Sequence, residues 1–257
     1  MNKSYNYQLP SLPERPVKPR NAGMTMVMDK GLGLRQVEDF LESSEQYVDI
    51  VKLGFGTSIV TPKLKEKLAL YKAANIPVYF GGTLFEAFLV RNKLDEYKRV
   101  LDEFGITHVE ISDGSIEITE EEKCSYISEF AKDYTVLSEV GSKDTEKIIP
   151  PYKWIAMMKA ELEAGAWKVI AEARESGTVG IFRKSGEVRS GLVEEILTQI
   201  PQEKILWEAP KKVQQVWFIE LYGANVSLGN IAPNEVIPLE TLRIGLRGDT
   251  FSFFLDK

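Results

Sequence analysis

The feature that most constrains the fold of this chain is an alternation of short apolar strands with amphipathic helices, which repeats eight times. The predicted strands lie in the segments TMVMDKG, VDIVKLGFG, VYFGGT, HVEISDG, TVLSEVG, WKVIAEARESG, ILWEAP and NVSLGNI. Each strand is followed by a segment of about ten to fifteen residues with helical periodicity. Strands that alternate with helices in this way pair in parallel through right-handed crossovers. The sequence therefore predicts an α/β protein, a single (β/α)8 barrel of the TIM type.

The main competing architecture is a doubly wound open sheet. Such sheets usually carry a glycine fingerprint after the first strand, and DKGLG at 29–33 matches G-x-G-x-x-G poorly. We therefore assign residues 21–257 to one barrel domain. Within residues 1–20, prolines stand at positions 10, 13, 16 and 19, a spacing that favours an extended, proline-rich N-terminal arm.

Local signals predict where several helices begin and end. Thr119 and Glu122 have the spacing of a capping box, and Thr61 followed by Pro62 is typical of a helix start. Between the third and fourth strands, the pattern predicts one long helix that Gly105 ends.

The composition excludes several classes of function. The 38 acidic and 32 basic residues give a net charge of −6, so a broad surface for nucleic acids or anionic membranes is not expected. The chain has one cysteine and one histidine, which excludes an internal disulfide framework and a zinc site built from such residues. Because no apolar run approaches a membrane span and no signal-peptide core is evident, we expect a cytoplasmic location.

Several charged residues fall at positions where a barrel strand points inward. Side chains alternate along a strand, so Val109 and Ile111 share one face while Glu110 and Ser112 share the other. The apolar pair must face the helices, which turns Glu110 toward the barrel interior. The same alternation predicts that five more charged side chains point inward, namely Lys52, Glu139, Glu172, Arg174 and Glu208.

Carboxylates that face a barrel interior are costly unless they are paired or bound to a cation. Magnesium prefers carboxylate oxygens and water, so it needs no histidine or cysteine. The inward carboxylates therefore predict a magnesium site at the C-terminal end of the barrel, where barrel active sites lie. The alternative is a network of Glu, Lys and Arg side chains that only orders this end of the barrel.

Glycine-rich loops indicate where anions could bind. The last strand ends in LGNIAPNEV, and loops after the seventh and eighth strands often supply backbone N–H groups to a phosphate, which makes Gly229 and Asn230 candidates. The long loop after the sixth strand carries Arg183 among glycines and could close over an anionic substrate. A solvated loop with no role in binding is the alternative.

The ordered motifs of the chain resemble those of one enzyme family. They are DKG at 29–31, VKLGFGTS at 51–58, GGTLFE at 81–86, EISDGS at 110–115, SEVGSK at 138–143, EARESG at 172–177, WEAPKKVQQ at 207–215 and LRIGLRGDTF at 242–251. From about residue 20 onward the chain resembles phosphosulfolactate synthase, a carbon–sulfur lyase. The resemblance implies a (β/α)8 barrel that adds sulfite to phosphoenolpyruvate with Mg²⁺. The product of this family enters coenzyme M or sulfolactate biosynthesis, and known members assemble as homotrimers.

This resemblance gives the candidate residues specific roles. We assign Glu139, Glu172 and Glu208 as metal ligands, directly or through water, with Glu110 and Asp113 in support. The resemblance makes Lys143 the general acid that protonates the substrate; relatives carry two adjacent lysines here, whereas Ser142 precedes Lys143 in this chain. The residues expected to bind the substrate anions are Lys52, Ser112, Arg174, Arg183, Gly229 and Asn230.

Two other functions remain open at the level of sequence. The chain could be a barrel that has lost the reaction and acts as a stress or scaffold protein. It could also catalyse a related enolate-forming reaction on another phosphorylated three-carbon acid. An intact set of inward carboxylates favours an enzyme, because a scaffold has no need of buried charges.

Overall fold

The structure is a computed structural model that describes residues 5–7, 9–141, 149–173 and 176–255. Eight short strands form its centre. They are β1 (Thr25–Asp29), β2 (Ile50–Leu53), β3 (Val78–Phe80), β4 (His108–Ile111), β5 (Thr135–Val140), β6 (Lys168–Ala171), β7 (Ile205–Glu208) and β8 (Leu228–Ile231).

The eight strands form one parallel sheet rolled into a nearly closed barrel. Their spatial order is β3-β2-β1-β8-β7-β6-β5-β4, so β1 pairs with both β2 and β8. The end strands β3 and β4 lie side by side, but no ladder of backbone hydrogen bonds joins them among the described residues. The predicted (β/α)8 barrel is thus confirmed, with one open seam between β3 and β4.

Helices surround the sheet. They are α1 (Leu34–Ser44), α2 (Thr57–Val60), α3 (Leu64–Ala73), α4 (Gly82–Leu89), α5 (Leu94–Glu103), α6 (Glu120–Phe130), α7 (Pro151–Glu163), α8 (Ser190–Leu197), α9 (Lys212–Tyr222) and α10 (Val236–Arg243), with 3-10 turns at Glu45–Tyr47, Gly54–Gly56, Gln202–Lys204 and Pro233–Glu235. Within the described ranges, none of these helices is both long enough and apolar enough to cross a membrane.

Some helix boundaries agree with the sequence patterns and others do not. The capping box at Thr119 is confirmed, since its hydroxyl accepts a hydrogen bond from the Glu122 amide at 3.2 Å. The helix predicted to start at Pro62 instead begins at Leu64, because Thr61 ends the short helix α2 and its hydroxyl donates to the Thr57 carbonyl. The predicted long helix is divided into α4 and α5 by a turn in which Asn92 has a φ of 54°.

The barrel interior is divided between an apolar layer and a polar layer. The apolar layer fills the N-terminal half of the barrel with the side chains of Met24, Met26, Ile50, Tyr79, Leu137, Ile170 and Leu206. A larger apolar core lies between the sheet and the helices. Because this apolar layer fills one half of the interior, the space that the described residues leave for a ligand lies at the C-terminal ends of the strands.

The residues before β1 are anchored to the other end of the barrel. Residues 9–24 contain no helix or strand, but Arg15 is buried and pairs with Glu240 of α10 at 3.0 Å. The same guanidinium donates to the main-chain carbonyls of Ala224 and Gly23. The start of the described chain is therefore tied to its last helix.

Candidate active site

A cavity of about 270 Å³ opens at the C-terminal ends of the strands. It is lined by Met28, Lys52, Phe55, Gly81, Gly82, Thr83, Glu110, Ser115, Glu139, Glu172, Glu208 and Asn230. These residues come from the ends of β1 to β8 and from the segments that follow, including the first turn of α4, which is the position of active sites in barrel enzymes. The strand alternation correctly predicts that Lys52 and the four glutamates face this space.

Three buried carboxylates meet in the cavity. Glu139 in β5, Glu172 directly after β6 and Glu208 in β7 each place one carboxylate oxygen within 4.8 Å of the others. Carboxylate oxygens are the ligands that hard divalent cations prefer, and burial makes ionised groups so close together unfavourable without positive charge. The donor set therefore fits a metal ion, and these three residues would hold it.

Lys52 lies between the carboxylates. Its Nζ is 2.9 Å from Glu110 Oε2, 3.4 Å from Glu208 Oε1 and 3.6 Å from Glu139 Oε2. Burial favours the neutral amine, but the surrounding negative charges prevail and raise the pKa of Lys52 well above its ordinary value. Lys52 therefore remains an ammonium group at neutral pH.

Glu208 and Glu110 are held by backbone amides as well as by Lys52. The Ala173 amide donates to Glu208 Oε2 at 2.9 Å, and the Gly82 amide donates to Glu110 Oε1 at 2.6 Å. Burial raises the pKa of Glu208 to about 7, opposed by Lys52 and reinforced by the charge of Glu139. Burial likewise raises the pKa of Glu110. Glu110 lies outside the group of three carboxylates and acts chiefly as the partner of Lys52.

Asn230 supplies an uncharged polar group to the cavity. The residue is 4% exposed and has a φ of 56°, and neither atom of its side-chain amide has a hydrogen-bond partner within the described part of the protein. Buried amides without partners are rare in folded proteins. The amide of Asn230 is therefore available to a ligand.

Two other predicted residues, Ser112 and Asp113, have partners behind the cavity wall. Ser112 donates its hydroxyl to Glu86 of α4, which also accepts the amides of Gly114 and Ser115 at 3.0 Å and 2.9 Å. Asp113 pairs with Lys123 of α6 at 3.0 Å. Sequence alternation missed Glu86 because it lies in a helix, although its place in the GGTLFE motif was a signal.

Gly229 and Arg183 also have surroundings that differ from the predicted roles. A methyl group added at Gly229 would lie 2.7 Å from Met26 Cε, the flexible end of that side chain, so Gly229 packs against the apolar layer inside the barrel. Arg183 is exposed and lies 3.7 Å from Glu187 within its own loop, and it does not line the cavity. Lys143, Ser142 and Arg174 lie outside the described residues.

Fold and site together define a (β/α)8-barrel protein with a buried, carboxylate-rich pocket at the catalytic end of the barrel. A family model for (2R)-phospho-3-sulfolactate synthase (ComA) matches residues 13–249. The chain belongs to this phosphosulfolactate synthase family.

Individual relatives agree with this assignment. The phosphosulfolactate synthase of Bacillus subtilis (strain 168) is 44% identical over 243 residues, which cover 93% of this chain and 96% of the relative. That of Methanocaldococcus jannaschii is 46% identical over 236 residues, covering 89% and 94%. Among solved structures, 3-hexulose-6-phosphate synthase from Salmonella typhimurium aligns with a TM-score of 0.53 at 15% identity, covering 91% of this chain and 99% of that one. This last similarity concerns the fold alone, whereas the two homologues support an enzyme.

Proposed function

We propose that this protein is a phosphosulfolactate synthase, a carbon–sulfur lyase that adds sulfite to phosphoenolpyruvate and forms (2R)-phospho-3-sulfolactate. The observation that carries the proposal is the buried group of Glu139, Glu172 and Glu208, two of which contact Lys52, in a chain that matches the family over residues 13–249. A scaffold protein would gain nothing from several ionisable groups at the centre of its barrel.

The proposed cofactor is Mg²⁺, held by Glu139, Glu172 and Glu208. When bound, the ion supplies positive charge that stabilises the negative charge developing on the substrate carboxylate. The chemistry of the three carboxylates supports this choice, because oxygen donors without histidine or cysteine suit a hard cation.

The proposed addition requires one nucleophile and one proton. The sulfur lone pair of sulfite forms a bond to C3 of phosphoenolpyruvate, and the double-bond electrons move onto C2 and the carboxylate. C2 then accepts a proton, for which we propose Lys143 on the basis of the resemblance. Lys52 suits a different role, because its raised pKa makes it a poor proton donor but a permanent positive charge. Asn230 would donate its amide to a substrate oxygen.

Further parts of the proposal follow from the family. Arg174 would assist in binding one of the three anionic groups that the two substrates bring together. The protein would work as a homo-oligomer, with a trimer as the expected state. No nucleic acid or membrane partner is proposed, and the expected compartment is the cytoplasm.

The experiment that tests the function is phosphoenolpyruvate consumption by the purified protein, with and without sulfite and Mg²⁺. We expect turnover only when both are present. The Lys143→Ala variant should lose at least about 100-fold in kcat, the usual contribution of a general acid. Lys132→Ala, which removes an exposed lysine in the turn after α6, is the matched control and should retain activity.

Other results would point to the remaining functions. Consumption without sulfite would indicate another enolate-forming reaction on this substrate. If phosphoenolpyruvate stays intact under every condition while the protein is folded, the family fold is present without the reaction.

A further inference from the structure

A second buried ionic group lies behind the candidate active site, on the helix side of β5. Its centre is Lys123 of α6, which is 2% exposed. The Lys123 Nζ atom lies 2.9 Å from Glu161 Oε1, 3.0 Å from Asp113 Oδ1 and 2.6 Å from the main-chain oxygen of Glu139. The three acceptors belong to α7, to the loop after β4 and to β5.

The geometry of this group leaves the ammonium little freedom. A lysine ammonium has three N–H donors, and here three acceptors from three elements match them. Glu161 is fully buried, so Lys123 is the charge that compensates its carboxylate. Burial raises the pKa of Glu161 to about 7, while Lys123 and Ser138 act in the opposite direction. The Lys123 ammonium is thus held in an ion pair whose two side chains are 3% and 0% exposed to solvent.

The Lys123 ammonium contacts two segments that line the cavity, β5 and the loop after β4. Glu139 offers its main-chain oxygen to Lys123 and its carboxylate to the group of three carboxylates inside the barrel. Asp113 precedes Ser115, which lines the cavity. Lys123 therefore joins β5 to the loop after β4 from outside the barrel.

We propose that Lys123 and Glu161 are positioning residues that hold the Glu139 carboxylate in the geometry required for cation binding. The inference rests on the proposed cation site, and it concerns residues that do not touch the ion. Partners that orient metal ligands from outside the ligand set commonly change metal affinity by about 10- to 100-fold when they are removed. We expect a change of this size here.

The chain contains a control for the effect of losing any buried ion pair. Lys67 of α3 pairs with Asp29 at 2.7 Å, and the two side chains are 1% and 0% exposed. Asp29 also accepts the Tyr71 hydroxyl and the amides of Gly31 and Leu32. This pair joins α3 to the end of β1, whereas Lys123 joins α6 to β5, so Lys67→Met removes an equally buried ion pair without touching the contact between Lys123 and Glu139.

The test measures Mn²⁺ binding to the full-length protein by electron paramagnetic resonance of the free ion, with Mg²⁺ as competitor. Lys123→Met and the double variant Lys123→Met/Glu161→Met are compared with Lys67→Met. The double variant replaces the whole ion pair with apolar side chains, a change that often leaves a protein folded. Thermal unfolding and near-ultraviolet circular dichroism establish that each variant retains its tertiary structure.

We expect both Lys123 variants to bind Mn²⁺ about 10- to 100-fold more weakly and Lys67→Met to bind it within about twofold of the wild type. Wild-type affinity in the folded double variant would overturn the positioning role and leave the cation site intact. An equal loss in Lys67→Met would also overturn it, because the effect would then come from general destabilisation. A wild-type protein that binds no Mn²⁺ would remove the proposed cation site and this inference together.

Discussion

At the scale of single residues, Asn230 differs from the charged groups around it because it has no role in holding the pocket together. Its amide has no partner in the described ranges, and its φ of 56° is one that asparagine tolerates better than most residues. The side chain is thus placed for a ligand by a backbone conformation that few other residues could adopt.

Replacing Asn230 with glycine tests this role. Glycine accepts the positive φ, and no hydrogen bond within the described protein is lost, so we expect the free energy of unfolding to change by no more than about 1 kcal/mol. A hydrogen bond to a charged substrate contributes about 1.5–3 kcal/mol, so KM for phosphoenolpyruvate should rise about 10- to 100-fold. Steady-state kinetics and thermal unfolding check the two expectations.

Asn230→Ala serves as the control for backbone strain. Alanine also lacks the side-chain amide, but the left-handed conformation costs it about 1–2 kcal/mol. Both variants should lose substrate affinity to the same degree. A loss confined to the alanine variant would assign the effect to the backbone and contradict the role of the amide.

Sequence alone places pocket residues well when their direction depends on the strand that carries them. Lys52, Glu110 and Glu208 could be oriented because side chains alternate along a strand whatever surrounds it. The partners of Ser112 and Asp113 could not be predicted, because Glu86 and Lys123 reach these residues from helices. The alternation of side chains along a strand contains no information about partners that lie in helices.

At the scale of elements, α4 determines the shape of the loop between β4 and α6. Glu86 is buried and accepts hydrogen bonds from the Ser112 hydroxyl and from the amides of Gly114 and Ser115. Ser115 lines the cavity, so one carboxylate in a helix orders a segment of the pocket wall.

Glu86→Ala should loosen this loop. Hydrogen bonds to a charged group contribute about 1.5–3 kcal/mol each and are not additive, so we expect a loss of about 2–4 kcal/mol in the free energy of unfolding. Hydrogen exchange at Gly114 and Ser115 should become faster, measured by mass spectrometry. Glu122→Ala, which removes the nearby capping box of α6, should cost about 1 kcal/mol and leave exchange at these two amides unchanged. Unchanged exchange in Glu86→Ala would show that other contacts order the loop.

The sequence predicts the type and order of the helices and strands better than it predicts their boundaries. Eight strand–helix units follow from periodicity, which depends on short stretches of sequence. The division between α4 and α5 at Asn92 lacks such a signal, since no proline or glycine stands in the turn at 90–93. The open seam between β3 and β4 depends on the curvature of the whole sheet. No local sequence pattern predicts that curvature.

At the scale of the whole molecule, the pocket should link stability to pH and to divalent cations. Burial raises the pKa of Glu208 from 4.5 to about 7, so the folded state holds this proton more tightly than the unfolded state does. The contribution of Glu208 to the free energy of unfolding is therefore fully present below about pH 4.5 and is lost as the pH rises through about 7. Its size is on the order of 3 kcal/mol, since each pKa unit corresponds to about 1.4 kcal/mol.

Calorimetry between pH 5 and 8 without divalent cations should show this loss as a falling Tm. In Glu208→Gln the fall should be smaller, and the difference between the two proteins cancels the contributions of groups that do not interact with Glu208. Mg²⁺ should restore the Tm of the wild type at pH 8, because it binds the ionised carboxylates of the folded state. If Tm falls with pH to the same extent in both proteins, Glu208 is not the group that makes stability depend on pH.

The contact between Arg15 and Glu240 has a consequence for synthesis on the ribosome. These residues are 225 positions apart, and both edges of β1 can be paired only after β8, the last of the described strands, has been synthesised. During translation one edge of β1 and the Arg15 guanidinium therefore stay unpaired until β8 and α10 have emerged from the ribosome. Unpaired strand edges favour association with other chains. Until β8 and α10 are available, the unfinished barrel is consequently most prone to associate with other chains.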